Sequence, residues 1–129
     1  MNPQAIILLV EDETELLRTI DFTLRRNGYR VDAHSDALSA LEAAGRMFRA
    51  GDPVMLLITD VRMPVMSGLE LVEQIRALKP ELPVLVITGQ ADREDRKRLM
   101  KLGVIRILEK PFSLSELLAE VGKISAKTE

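Results

Sequence analysis

Val-Met-Leu-Leu-Ile-Thr-Asp-Val-Arg-Met-Pro-Val-Met-Ser-Gly, residues Val54 to Gly68, decides the fold. Its first half, Val54 to Ile58, is an apolar run too short for a typical helix, with Gly51 and Pro53 ahead of it. That is the pattern of a strand buried on both faces of a sheet. Asp60 stands where this strand ends, and a loop carrying Pro64 and Gly68 follows. Open α/β sheets bind ligands beyond the carboxyl ends of their strands, so the carboxylate stands where chemistry is expected. A solitary Asp in such a place is more often a loop cap, and the rest of the chain decides between the two readings.

Working outward, Ala5 to Val10 is a second continuous apolar strand and runs directly into Glu11 and Asp12. Thr14 is expected to cap the next helix, with Leu16, Leu17, Ile20 and Leu24 on its inner face and Asn27 and Gly28 as its stop. Tyr29 to His34 alternates apolar and polar residues, which places a half-wet strand at the sheet edge. Ser35 or Asp36 caps a second helix, with Leu38, Leu41, Met47 and Phe48 expected to point inward, Gly45 a weak point, and Gly51 to Pro53 its end. Beyond the central strand, Leu69 to Leu78 has helical spacing, Val84 to Thr88 is another apolar strand, and Gly89 to Asp92 is a short loop. Arg93 to Leu102 is a charge-rich helix read as a solvated face, and Gly103 ends it. Val104 to Leu108 forms the last strand and leads into Glu109, Lys110 and Pro111. Ser113 and Glu116 make a capping box for a final helix with Leu114, Leu117, Leu118, Val121 and Ile124 inward, and Ser125 to Glu129 is expected to fray. Five strands alternating with five helices imply a doubly wound parallel sheet of α/β class, because parallel neighbours need right-handed crossovers.

The chain has 129 residues, 47% of them hydrophobic and 29% charged, which suits one globular domain over residues 1–129 with its core at about 5–124, and leaves no room for an effector domain. Absence of Cys excludes a disulfide framework and thiolate metal sites, and suits a reducing compartment. A net charge of −2 gives no electrostatic footprint for direct nucleic-acid binding. No signal peptide and no membrane-length apolar run can be read, so a cytoplasmic, membrane-free location is expected. His34 is the single histidine and, with no second His and no Cys, reads as a surface or loop residue rather than a metal ligand.

The strand ends carry Glu11 and Asp12, Asp60, Thr88 and Lys110, so four strands supply one polar cluster at one sheet edge. Three carboxylates together repel one another unless cations intervene. Lys110 supplies one positive charge. A hard divalent ion held only by oxygen, magnesium above all, supplies the rest. A metal alone leaves Thr88 and Lys110 idle, whereas a phosphoryl group on Asp60 gives Lys110 an anion to neutralise and the Thr88 hydroxyl an acceptor.

The ordered set of Glu11–Asp12, Asp60, Thr88 and Lys110–Pro111 resembles the receiver domain of two-component response regulators, over about residues 5 to 124. The resemblance implies the flavodoxin-like strand order 2-1-3-4-5. It further implies that Asp60 accepts a phosphoryl group from a sensor histidine kinase or phosphotransfer protein, and that Glu11, Asp12, Asp60 and the backbone carbonyl of Arg62 hold magnesium. Thr88 and Lys110 would contact the phosphoryl group, Lys110–Pro111 would be a cis bond, and Arg62 and Gln90 would tune spontaneous hydrolysis. The domain would be no enzyme in the ordinary sense, only an acceptor that assists its own phosphoryl transfer and autodephosphorylation. Residues 92–124 match the family's output surface, with a homodimer or an acidic partner as the alternative to a merely solvated face. Ile107 stands where many relatives carry Tyr or Phe, so the expected rearrangement is centred on residues 89–92 and the helix after them.

Two other functions compete. A magnesium-dependent phosphohydrolase with an Asp nucleophile wants a second Asp two residues on, where this chain has Arg62. An unphosphorylated receiver-like interaction module has no need of the intact acidic pair, Thr88 and Lys110. A flavin carrier is disfavoured by Glu11-Asp12-Glu13, acidic where a phosphate-cradling loop needs exposed amides.

Overall fold

A computed structural model describes residues 4–89 and 91–127. In chain order it has β1 (Ile6–Val10), α1 (Thr14–Arg26), β2 (Arg30–His34), α2 (Ala37–Ala50), β3 (Val54–Asp60), α3 (Gly68–Leu78), β4 (Val84–Thr88), α4 (Arg93–Lys101), β5 (Arg106–Glu109) and α5 (Leu114–Lys127). The sheet order is β2-β1-β3-β4-β5, with every pairing parallel, as the sequence implies.

Alternation along the strands sorts the core into two layers. Ile7 and Leu9 of β1, Leu56 and Ile58 of β3, and Leu85 and Ile87 of β4 face one side, where Ile20 and Leu24 of α1 and Leu117 and Val121 of α5 cover them. Leu8, Val10, Leu57, Val84 and Val86 face the other, under Ala40 and Ala44 of α2, Leu71, Val72 and Ile75 of α3, and Leu99 of α4. Each fully buried Leu, Ile or Val contributes roughly 1.5–3 kcal/mol, and these side chains anchor the strand ends from both faces.

The structure corrects several local expectations. α2 turns alanines inward, Ala37, Ala40, Ala43 and Ala44, while Leu38 is exposed. Small residues on that face let the helix lie close against the sheet and α3, and Leu41, Met47 and Phe48 pack at its flanks. Asp36, not Ser35, caps it by accepting from the Ser39 N–H at 2.8 Å. Gly51 closes α2 at φ 76°, a left-handed conformation that strains residues with a side chain. Glu13, not Thr14, occupies the cap of α1, and its own N–H donates to Glu11. β5 starts two residues later than expected, at Arg106, although the Ile105 N–H already reaches the Val84 carbonyl at 2.9 Å. Residues 125–127 continue α5 rather than fraying, with Ser125 buried, and the rest of that expected frayed tail, residues 128 and 129, lies outside the described residues.

Arg76 fastens the far end of the α3 layer. Its guanidinium donates to the carbonyls of Leu82, Leu102 and Gly103, joining α3 to the turns on both sides of β4 and α4. Burial lowers its pKa, with the Glu81 charge opposing that shift. Among the described residues, no helix is long and apolar enough to cross a membrane.

Candidate functional site

The carboxyl edge of the sheet gathers the residues that the strand ends supply. β1 delivers Glu11, fully buried, and then Asp12 at the exposed rim. β3 runs two residues beyond its apolar stretch, so Asp60 is its last residue and only 5% exposed. β4 ends on buried Thr88. The Lys110 N–H donates to the Thr88 carbonyl at 2.8 Å, which carries the β4–β5 pairing one step past the strand and sets Lys110 beside Thr88. The Lys110–Pro111 peptide is cis, as the resemblance implies.

Asp60 is fixed through both oxygens. Oδ1 accepts from the Val61 N–H at 2.6 Å and, more weakly, from the Arg62 N–H at 3.4 Å. Oδ2 accepts from Lys110 Nζ at 2.7 Å. The same ammonium lies 2.9 Å from Glu11 Oε1, so one cation faces two buried carboxylates. Burial raises the Glu11 pKa and the neighbouring Asp60 charge adds to that, against the Glu13 N–H and Lys110. Burial pulls the Lys110 pKa down, but the bonds to Asp60 and Glu11 outweigh it and hold the ammonium above its usual range.

The donor set fits a hard cation. One carboxylate oxygen from each of Glu11, Asp12 and Asp60 lies within 4.8 Å of the other two. Glu11 Oε2 accepts from the Glu13 N–H at 3.0 Å, whereas buried Oε1 has only the Lys110 ammonium, 2.9 Å away, beside it. Three carboxylates sharing one ammonium in an oxygen-only cluster suit magnesium, which takes few carboxylates and keeps waters. The cleft above these groups has a volume of about 420 Å³, with Asp12, Asp60, Arg62, Thr88, Gly89 and Lys110 in its wall.

The loop after Asp60 is shaped by close approach. A Cβ on Gly68 would lie 1.6 Å from the Asp60 carbonyl oxygen, so no larger residue fits while the Gly68 N–H donates to the Val61 carbonyl at 2.9 Å. Ser67 and Glu70 cap α3 reciprocally, a Ser-x-x-Glu signal in the sequence that starts the helix at Gly68 rather than Leu69. Val65 at the loop tip is 90% exposed and has φ 71°, an outlying backbone conformation for a β-branched residue.

The remaining sequence candidates are spread around this centre. Arg62 extends from the loop to α4, pairing with Asp95 and lying 3.6 Å from Asp92. Nothing in the sequence signalled that contact, which joins residues 33 positions apart. Ile107 is half-buried in β5 and packs against the layer under α2, α3 and α4. Gln90 lies outside the described residues. His34 ends β2 and sits apart from the carboxylate cluster, between Asp32 and Ser39, each 3.0 Å from a ring nitrogen.

The family model for the response regulator receiver domain matches residues 7–122. The chain belongs to the response regulator receiver family. Among curated relatives of this receiver, the transcriptional regulatory protein FixJ of Rhizobium meliloti is 35% identical over 117 residues, 91% of the chain and 55% of FixJ. The response regulator MprA of Mycobacterium leprae is 34% identical over 122 residues, 95% of the chain and 51% of MprA. The receiver therefore spans about half the length of the curated relatives it matches. Of solved structures, a CheY-like receiver domain protein from Methanospirillum hungatei superposes with a TM-score of 0.86 at 26% identity, covering 96% of each chain. The structure of FIXJ-N superposes with a TM-score of 0.78 at 32% identity, covering 95% of this receiver and 94% of that chain. Phosphorelay signalling is the function this family membership supports, and the phosphohydrolase alternative is not favoured.

Proposed function

We propose that Asp60 is the phospho-acceptor of a receiver that takes its phosphoryl group from a sensor histidine kinase or a phosphotransfer protein. The observation that carries this reading is the clamp on the Asp60 carboxylate: two backbone N–H groups orient Oδ1 while Lys110 Nζ sits 2.7 Å from Oδ2 at the open cleft. A carboxylate oxygen attacks phosphorus, the bond from phosphorus to the donor's imidazole nitrogen breaks, and the product is an acyl phosphate. Catalysis of such a transfer is positioning and charge neutralisation, which a preset ammonium provides. The Thr88 hydroxyl donates to a phosphoryl oxygen when its loop moves inward, and the Lys110 ammonium pairs with another.

Glu11, Asp12 and Asp60 would hold magnesium, with the Arg62 carbonyl as a further ligand, and the ion would neutralise the phosphoryl oxygens. Attack by water later regenerates the carboxylate, so the chain assists its own dephosphorylation without acting as an enzyme on another molecule. The domain, one receiver unit with its core over residues 5–124, would control an output domain or a separate partner. An apolar cleft of about 500 Å³ beside Lys110, between α1 and the Pro111–Phe112 turn, supports docking of the phosphoryl donor. Residues 92–124 are the proposed output face, through a second copy or an acidic partner, with no direct nucleic-acid contact.

With Ile107 at the aromatic position, switching rests on the 89–92 loop and α4. Moving such an equilibrium from 1:99 to 99:1 requires about 5.5 kcal/mol of differential stabilisation, within reach of several charge-assisted hydrogen bonds and a metal. The test is borohydride reduction after phosphorylation by acetyl phosphate, which converts an aspartyl phosphate to homoserine. Peptide masses should place the homoserine at position 60. Modification elsewhere would refute the assignment.

A further inference from the structure

The geometry points to Asp95 as a positioning residue for phosphoryl chemistry at Asp60, acting through a guanidinium that α4 and the phosphoryl group must share. This rests on the phospho-acceptor reading of Asp60. Arg62 follows that residue by two positions, and its own backbone N–H points at Asp60 Oδ1. Its guanidinium is drawn instead toward the first turn of α4, where Asp95 is its ion-pair partner and Asp92 lies 3.6 Å away. Asp95 is well placed to hold the guanidinium there, because its N–H is capped by Asp92 Oδ1 at 2.8 Å and its side chain is only 13% exposed. Arg62 is 53% exposed, so the pair is movable rather than locked. α4 is also tied to the opposite flank of the site, since Arg96 pairs with Glu109, the residue before Lys110.

A phosphoryl group on Asp60 brings nearly two negative charges beside the Arg62 backbone. It competes with Asp95 and Asp92 for one guanidinium. Carboxylates at a helix N-terminus tolerate loss of that partner, because the helix dipole favours negative charge there. Phosphorylation therefore draws Arg62 inward and frees the start of α4. Linkage makes the effect reciprocal: whatever weakens the hold of α4 on Arg62 strengthens its pairing with the phosphoryl group. In hydrolysis, water oxygen bonds to phosphorus, the bond to the Asp60 oxygen breaks, and carboxylate and inorganic phosphate result. An Arg62 guanidinium paired across the phosphoryl oxygens obstructs that approach, so Asp95 in the native chain shortens the phosphoryl lifetime.

The experiment is a set of acyl-phosphate lifetimes after removal of acetyl phosphate, on the native chain, Asp95→Asn, Asp95→Glu, Arg62→Met and the double variant Arg62→Met with Asp95→Asn. Asp95→Asn should lengthen the lifetime about two- to fivefold, the range a part-exposed ion pair supports. Asp95→Glu should return it toward the native value, and Asp95→Asn should change nothing in the Arg62→Met background. A mere helix-stabilising role of Asp95 would act equally in both backgrounds, and that additivity would overturn the inference alone. No adduct on the native chain from either acetyl phosphate or a phosphorylated sensor kinase would overturn the phospho-acceptor reading and this inference with it.

Discussion

Lys110 is the residue on which the charge balance of the site turns. It stands between Glu11 and Asp60, both buried, with its own side chain 21% exposed. Removing one partner of a buried pair leaves charge uncompensated, and partial exposure reduces that cost to about 1–3 kcal/mol. Lys110→Ala should lower stability by this amount in metal-free urea titrations, and added magnesium should recover part of the loss. Equal midpoints for native chain and variant would contradict the charge account. Because its pKa is raised in the folded state, the stabilisation from Lys110 is complete below the ordinary lysine value of 10.5 and is lost as pH rises through the raised value. At this scale the sequence was informative where a side chain follows its strand directly: Glu11, Asp12, Asp60, Thr88 and Lys110 needed only the end of an apolar run to be placed. It was silent where the partner comes from elsewhere, as with Arg62 and Asp95, because no local pattern encodes a contact across 33 positions.

The elements show the same division. β1, β3 and β4 are apolar on both faces and could be read from composition alone. α2 could not, because which face of a helix goes inward depends on how closely the neighbours approach. Large Leu38 looked like core but is exposed, while alanines fill the narrow space. α3 presents the sharpest case, since its first residue, Gly68, abuts the Asp60 carbonyl. A methyl group there would be placed 1.6 Å from that oxygen, so α3 or the end of β3 must move. Gly68→Ala should destabilise the fold by about 1–3 kcal/mol, the range for overpacking with backbone shift. The same displacement should slow phosphorylation of the folded variant at Asp60. Native stability and native phosphorylation rate together in Gly68→Ala would show that the close approach is dispensable.

For the whole molecule, two apolar layers hold one sheet, and the carboxyl edge of that sheet concentrates negative charge that the fold alone leaves underneutralised. Magnesium binding to the folded state only should therefore raise stability, by about 2.7 kcal/mol at one hundred times its Kd. Asp12→Asn should abolish most of that gain while leaving the metal-free protein as stable as the native chain or slightly more so, because Asp12 is exposed and its loss relieves repulsion. Thermal unfolding with magnesium or chelator reads both effects, and an undiminished magnesium response in Asp12→Asn would remove that residue from the metal site. Charge, metal and acceptor meet in one measurement, the intact-protein mass after incubation with acetyl phosphate, with and without magnesium, on the native chain and on Asp60→Asn. A gain of one phosphoryl mass that requires magnesium and vanishes in Asp60→Asn is the predicted result. A gain that persists in Asp60→Asn, or a folded native chain that takes no phosphoryl group from either acetyl phosphate or a phosphorylated sensor kinase, would contradict the assignment of Asp60 as the acceptor.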